Sequence, residues 1–140
     1  MTRVDFYIVG DGERDRLGIA CRLAQKAYDA GQRVHVHATD AAQAERFDTL
    51  LWTFRQGSFV PHGLAGTPEA EAAPVVIGHD GEPDEPYQLL FNLADDVPPF
   101  FSRFERVIEV IGREADEVTS GRARYRYYRE RGYPLSDTRV

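Results

Sequence analysis

The chain is short of several things that would each point to a class of function. It has one cysteine, Cys21, so no internal disulfide can form, which fits a reducing cytoplasm. Lysine occurs once, at Lys26 inside a helical pattern, so the phosphate-cradling GxxxxGK[ST] loop cannot be written anywhere. No run approaches the roughly 18 apolar residues of a membrane span. The N-terminus, MTRVDFYIVG, passes straight into a strand pattern without the apolar core of a signal peptide. Positive charge is also in deficit: the net charge is −6, which argues against nonspecific DNA binding by the surface as a whole.

What positive charge there is gathers near the C-terminus. Residues 121–132, GRARYRYYRERG, hold Arg122, Arg124, Arg126, Arg129 and Arg131 against Glu130 alone. With +4 in this stretch and −6 overall, the rest of the chain carries −10. Arg, Ala and Glu favour helix, no proline or β-branched residue interrupts, and Gly132 followed by Pro134 is a stop signal. At about 100° per residue, Val118, Arg122, Tyr125, Arg126 and Arg129 share one stripe. Guanidinium forks beside a tyrosine suit a ligand with carboxylates and an apolar or aromatic part. The plainer alternative is a solvated helix face with its tyrosines turned inward.

At 140 residues the chain is expected to be one domain, residues 1–140, with a real core. Residues 4–9 (VDFYIV), 34–38 (VHVHA), 74–78 (PVVIG), 89–93 (LLFNL) and 106–111 (RVIEVI) read as five strands. A helix is expected over residues 15–30, with Gly31 as its stop, and a second begins at a Thr39 or Asp40 cap with Ala44, Phe47 and Leu51 inward. Residues 52–66 (WTFRQGSFVPHGLAG) read as irregular but aromatic. Residues 79–86 read as an acidic turn, and Pro98-Pro99 opens a helical turn carrying Phe100, Phe101 and Phe104. A final helix starts at Glu114. Strands alternating with helices or loops, without hairpin dipeptides, predict an α/β fold whose five-stranded sheet is largely parallel.

The chemistry of the candidate sites is thin. Gly10-Asp11-Gly12 begins like GxGxxG, but Asp15 stands where the third glycine belongs, and Asp11, Glu13 and Asp15 would repel phosphate. His35 and His37 share a strand face, yet no Cys/His cluster backs them as metal ligands, and two polar residues near a sheet end is the simpler reading. His62 has no paired nucleophile, Ser58 lies outside GxSxG, and Cys21 falls on an apolar helix side where a buried, inert thiol is expected. No catalytic residue, cofactor or metal is assigned. Besides the Arg/Tyr stripe, the aromatic segment with Trp52, Phe54, Phe59 and Val60 offers apolar side chains for core anchorage or a protein contact.

Three stretches carry a resemblance: the opening VDFYIV, the block from Leu51-Trp52 through SFVPHGLAG (residues 58–66), and the closing RARYRYYR (residues 122–129). In these and in the order of its elements the chain resembles the chi subunit of the bacterial DNA polymerase III holoenzyme. The resemblance implies a Rossmann-like fold without a functional nucleotide loop, no catalysis of its own, and a cytoplasmic adaptor role in replication. The implied partners are the psi subunit of the clamp loader and the acidic C-terminal tail of single-stranded-DNA-binding protein, which ends in phenylalanine; DNA is reached indirectly. It further implies that the tail lies on Arg122, Tyr125 and Arg126, with Ile111 lining an apolar pocket. A basic position of the family is Val118 here, and Arg129 on the same stripe could compensate. Psi, or a helicase of the iron–sulfur repair type, would use Phe59 with Trp52 and Val60. The chain alone would be a monomer, forming a heterodimer with psi. Two other classes stay open: a direct single-stranded nucleic-acid module using the Arg/Tyr helix, and an enzyme using His35/His37 or the first loop.

Overall fold

The computed structural model describes residues 1–12, 14–84 and 88–140; Glu13 of the first loop and Glu85-Pro86 of the expected acidic turn lie outside them. In chain order the elements are β1 (Arg3–Ile8), α1 (Arg16–Asp29), β2 (Val34–His37), α2 (Ala41–Thr53), β3 (His62–Leu64), β4 (Val75–Gly78), β5 (Leu89–Asn92), β6 (Arg106–Ile111), α3 (Ala115–Glu130) and β7 (Leu135–Arg139). Single 3-10 turns sit at Pro68–Ala70 and Phe101–Arg103.

The seven strands form one sheet in the order β3-β4-β2-β5-β6-β1-β7, every pair parallel. The α/β class and parallel sheet stand as read from the sequence, but the strand count of five does not. The two additional strands are both edges. β3 lies inside the segment read as irregular, where three residues pair with β4 and the Pro68–Ala70 turn covers them. A side chain at Gly63 would put its Cβ 2.5 Å from the Ala70 backbone nitrogen, so only glycine allows this cover. β7 is polar and mostly exposed, and its pairing with β1 holds it.

Alternation along the strands builds two apolar layers. On one face Val34, Val36, Leu89, Phe91, Ile108 and Val110 pack beneath α1 and α2, which contribute Ile19, Ala20, Ala24, Ala44, Phe47 and Leu51. Cys21 is fully buried there, and burial pushes its thiol up to about 12, so it is not a nucleophile at neutral pH. On the other face Val4, Phe6, Leu90, Val107 and Ile111 meet Phe100, Phe101, Phe104 and Tyr128. His35, read as one of two polar residues near a sheet end, is 3% exposed on this second face, against the rings of Phe100 and Phe104.

Both long first-half helices start as their sequences dictate. Asp15 caps α1 by accepting from the Gly18 amide, and Asp40 caps α2 by accepting from Gln43. The loop after β1 turns three carbonyls, of Gly10, Gly12 and Arg14, onto the Arg113 guanidinium at 2.7–3.1 Å. A phosphate loop presents amides inward; these carbonyls are aimed at a cation. Among the described residues no helix is long and apolar enough to cross a membrane.

Candidate protein-docking surfaces

Helix α3 opens on a reciprocal cap in which Glu114 and Glu117 bond each other's backbone amides. Its middle is pressed onto β6. A Cβ at Gly121 would fall 2.6 Å from the Ile111 side chain, so glycine permits the close approach. Ile111 is 8% exposed beneath this point, and half-buried Val118 and Tyr125 pack against the same apolar cluster. The structure thus gathers Ile111, Val118 and Tyr125 at one place.

A polar network sets how α3 is rotated. Glu109, in the middle of the apolar run of β6, is fully buried. It accepts from Arg124 Nε at 2.8 Å, Tyr128 Oη at 2.7 Å and Asn92 Nδ2 at 2.9 Å. Arg124 Nη1 also donates to Ser120 Oγ at 2.6 Å and to the Asp95 carbonyl at 3.3 Å. Burial, and then the Glu109 charge, pushes the Tyr128 hydroxyl far up, so it stays a donor. Arg16 enters from α1 toward the same ends of β5 and β6, donating to Val110 and Leu93 carbonyls at 2.7 and 3.1 Å. A buried carboxylate with three donors and two nearby guanidiniums adds little net stability over an apolar core, but it fixes one register for the helix.

The consequence is a division of the five arginines. Arg124 is spent inside, and Arg131 lies 3.5 Å over the Tyr127 ring. Arg122, Arg126 and Arg129 are exposed and flank Tyr125, whose ring rests on Phe6 at 4.9 Å. Arg122 and Arg126 make no hydrogen bond or ion pair with the other described residues. The stripe expected from the helical period is therefore a surface of three guanidiniums around a half-buried phenol. Glu109 and its partners do not follow from helix periodicity, although a lone glutamate inside RVIEVI is itself a signal, because a buried carboxylate needs donors.

The second surface is apolar. Trp52 and Phe59 are 55% and 56% exposed, with ring centroids 5.8 Å apart. The other large exposed apolar residues among those described are Met1 and Val140 at the chain ends, so this pair is the internal exception. Val60 is 1% exposed and lies beneath the pair as part of the core, not on the surface with them. His62 props the indole at 4.7 Å, its Nδ1 2.6 Å from the Val60 carbonyl and its Nε2 3.1 Å from that of Asp48. Phe54, half-buried, is flanked by the Arg14 and Arg55 guanidiniums at 5.7 and 6.0 Å.

Among the described residues no three His, Cys, Asp or Glu side chains gather as a metal site. Residues 1–136 match the family described as DNA polymerase III chi subunit, HolC. The chain is 43% identical to the DNA polymerase III subunit chi of Pseudomonas aeruginosa over 141 residues, covering 100% of this chain and 98% of that one. It is 32% identical to the Haemophilus influenzae subunit chi over 123 residues (87% and 85% covered) and 31% identical to the Escherichia coli one over 142 (97% and 97%). Among solved structures, T4 UvsW superposes with a TM-score of 0.66 at 8% identity, over 99% of this chain and 41% of that one, a likeness of fold alone. Coverage of nearly the whole length by relatives of one kind leaves a plain conclusion: the chain belongs to the chi-subunit family of DNA polymerase III, non-catalytic accessory proteins of replication.

Proposed function

We propose that this protein bridges two partners: it takes the acidic, phenylalanine-ended tail of single-stranded-DNA-binding protein on the α3 stripe, and psi, or a helicase in its place, on the Trp52–Phe59 surface. The observation that carries the first half is the set of Arg122, Arg126 and Arg129 facing outward around Tyr125, above Ile111 and Val118. Guanidiniums clamp carboxylates in pairs of hydrogen bonds, and a phenyl group can settle against the apolar residues between them. Val118 supplies apolar surface where the family has a base, leaving Arg129 as the additional cation. For the second half, two aromatic rings more than half exposed and propped from below suit the buried centre of a protein interface.

The two surfaces stand on different faces and toward opposite edges of the sheet. β3 and β7 are six strand spacings apart, about 29 Å at about 4.8 Å each. Residues 1–140 can therefore act as one domain holding both partners together, with DNA reached only through the tail.

Calorimetric titration with an Asp-rich peptide ending in Phe tests this, alongside the same peptide without its Phe. Micromolar binding that is lost without the Phe, and weakened by Arg122→Ala or Tyr125→Ala, is the expected result. Absence of peptide binding at low salt, where attraction between exposed charges is least screened, would overturn the reading. Salt-steep binding of an oligonucleotide, abolished by Arg126→Ala, would then favour a direct nucleic-acid module.

A further inference from the structure

The stripe already has a carboxylate beside it. The β1–β7 register sets Asp137 opposite Phe6, and Phe6 carries the Tyr125 ring at 4.9 Å. Alternation along β7 puts Leu135, Asp137 and Arg139 on the α3 side of the sheet, where Leu135 joins the apolar cluster under the helix. Ser136 points to the other side and donates to Asp5 at 2.5 Å. Asp137 therefore lies beside the Tyr125 phenol across the Phe6 ring. Burial first, and then the nearby Asp137 carboxylate, hold the phenol above its ordinary value, with Arg129 pulling the other way. Asp137 is exposed, so an incoming group can reach it and replace it.

From this we infer that Asp137 is a built-in competitor for the tail: its carboxylate stands beside Tyr125, on the ground an acidic peptide must take, and binding requires that it be displaced. The inference rests on the proposed tail site and adds a residue that sets its affinity. A strand of the chain itself, extended at the sheet edge with Leu135 against the cluster under α3 and Asp137 opposite Phe6, shows in outline how an extended acidic segment can lie there. It also gives selectivity. A weakly acidic peptide cannot outbid a carboxylate that is already tethered, whereas a run of aspartates ending in a free carboxylate meets Arg122, Arg126 and Arg129 at once.

The test titrates the Asp-rich peptide ending in Phe into the wild-type chain, Asp137→Asn and Asp137→Ala. Both variants are expected to bind about two- to fivefold tighter at low salt, the scale of one solvent-facing charge pair, with the gain shrinking as salt rises. In a Tyr125→Phe background, which removes the hydroxyl beside Asp137, the gain from Asp137→Asn should fall. Unchanged affinity in both variants overturns the inference while leaving the tail site standing. Weaker binding in Asp137→Ala with none in Asp137→Asn also overturns it, because Asp137 would then be positioning Tyr125. If none of the chains binds the peptide, the tail site and the inference fall together. Because Asp137 is exposed on an edge strand, thermal melts of the variants are expected to match the wild type, which separates these outcomes from misfolding.

Discussion

The α3 stripe and the Trp52–Phe59 pair are both outward-facing, but they are held up by different physics. Under the stripe lies a buried carboxylate serving Arg124, Tyr128 and Asn92, with the adjoining strands placing His35 and His37 on the same sheet face. Under the aromatic pair lie Val60, Leu51 and the rest of the larger apolar layer, with His62 set between the Val60 and Asp48 carbonyls as the polar prop. A surface meant to present charge needs its helix fixed in rotation, since a shift of one residue would turn Arg124 outward and Arg122 or Arg126 in. Directional bonds do that. A surface meant to present area needs only to be kept from collapsing into the core. The two should therefore fail under different insults.

The largest expected break is Glu109→Ala. It strands the Arg124 guanidinium, with Arg16 nearby, in a buried site, and losing one partner of such a pair costs about 3–5 kcal/mol. Chemical denaturation should show that loss, and peptide binding should go with it. Val107→Ala on the same strand is the control, expected to lower stability by apolar cavity formation while leaving the helix rotation and peptide affinity near wild type.

Acid gives the next effect. Burial, and then the His37 charge, lowers His35 from 6.5 to about 4. The unfolded chain therefore binds a proton that the folded chain refuses, so stability falls as pH drops from 6.5 toward 4 and is unaffected by His35 above that window. The full difference corresponds to about 3 kcal/mol. Denaturation midpoints across this window should fall in the wild type and flatten in His35→Leu, which keeps the packing against Phe100 and Phe104.

Trp52→Ala with Phe59→Ala should do the converse. Stability should change by less than about 1 kcal/mol, as expected for side chains already more than half in solvent. The partner at that surface should lose about 2 kcal/mol or more if the rings are its central contacts. Psi co-purification and calorimetry check this, with tail-peptide affinity unchanged in the same variant. The Asp137 substitutions, at a few-fold in affinity, are the finest of these probes.

The sequence made the core elements legible for physical reasons that also explain its failures. Strands β4, β5 and β6 are near-continuous apolar runs because a parallel sheet covered by helices buries both faces, while β1 and β2 show through β-branched and aromatic residues with a polar one set among them. The inner face of α2, with Ala44, Phe47 and Leu51 all buried, follows from helical spacing. β3 and β7 carry no such pattern: HGL is too short to have one, and LSDTR is polar because its edge meets water. Both are strands because a neighbour pairs with them. The stripe was legible because its helix phase is regular over residues 118–129. Arg124 was not separable from its neighbours by composition, and its burial follows only from setting Glu109 opposite it. Val60 shows the same limit, since in SFVPH it stands beside Phe59 yet faces the other way.

Amide chemical-shift mapping with the Asp-rich, Phe-ended peptide tests the central claim most directly, since the chain has one tryptophan and its indole reports the second surface. The expected result is that shifts concentrate at Ile111, residues 118–129 and β7, while the Trp52 indole signal stays in place. Shifts centred on Trp52 and Phe59, or spread without focus over the acidic remainder, would contradict the division into a charged tail site and a separate apolar partner site.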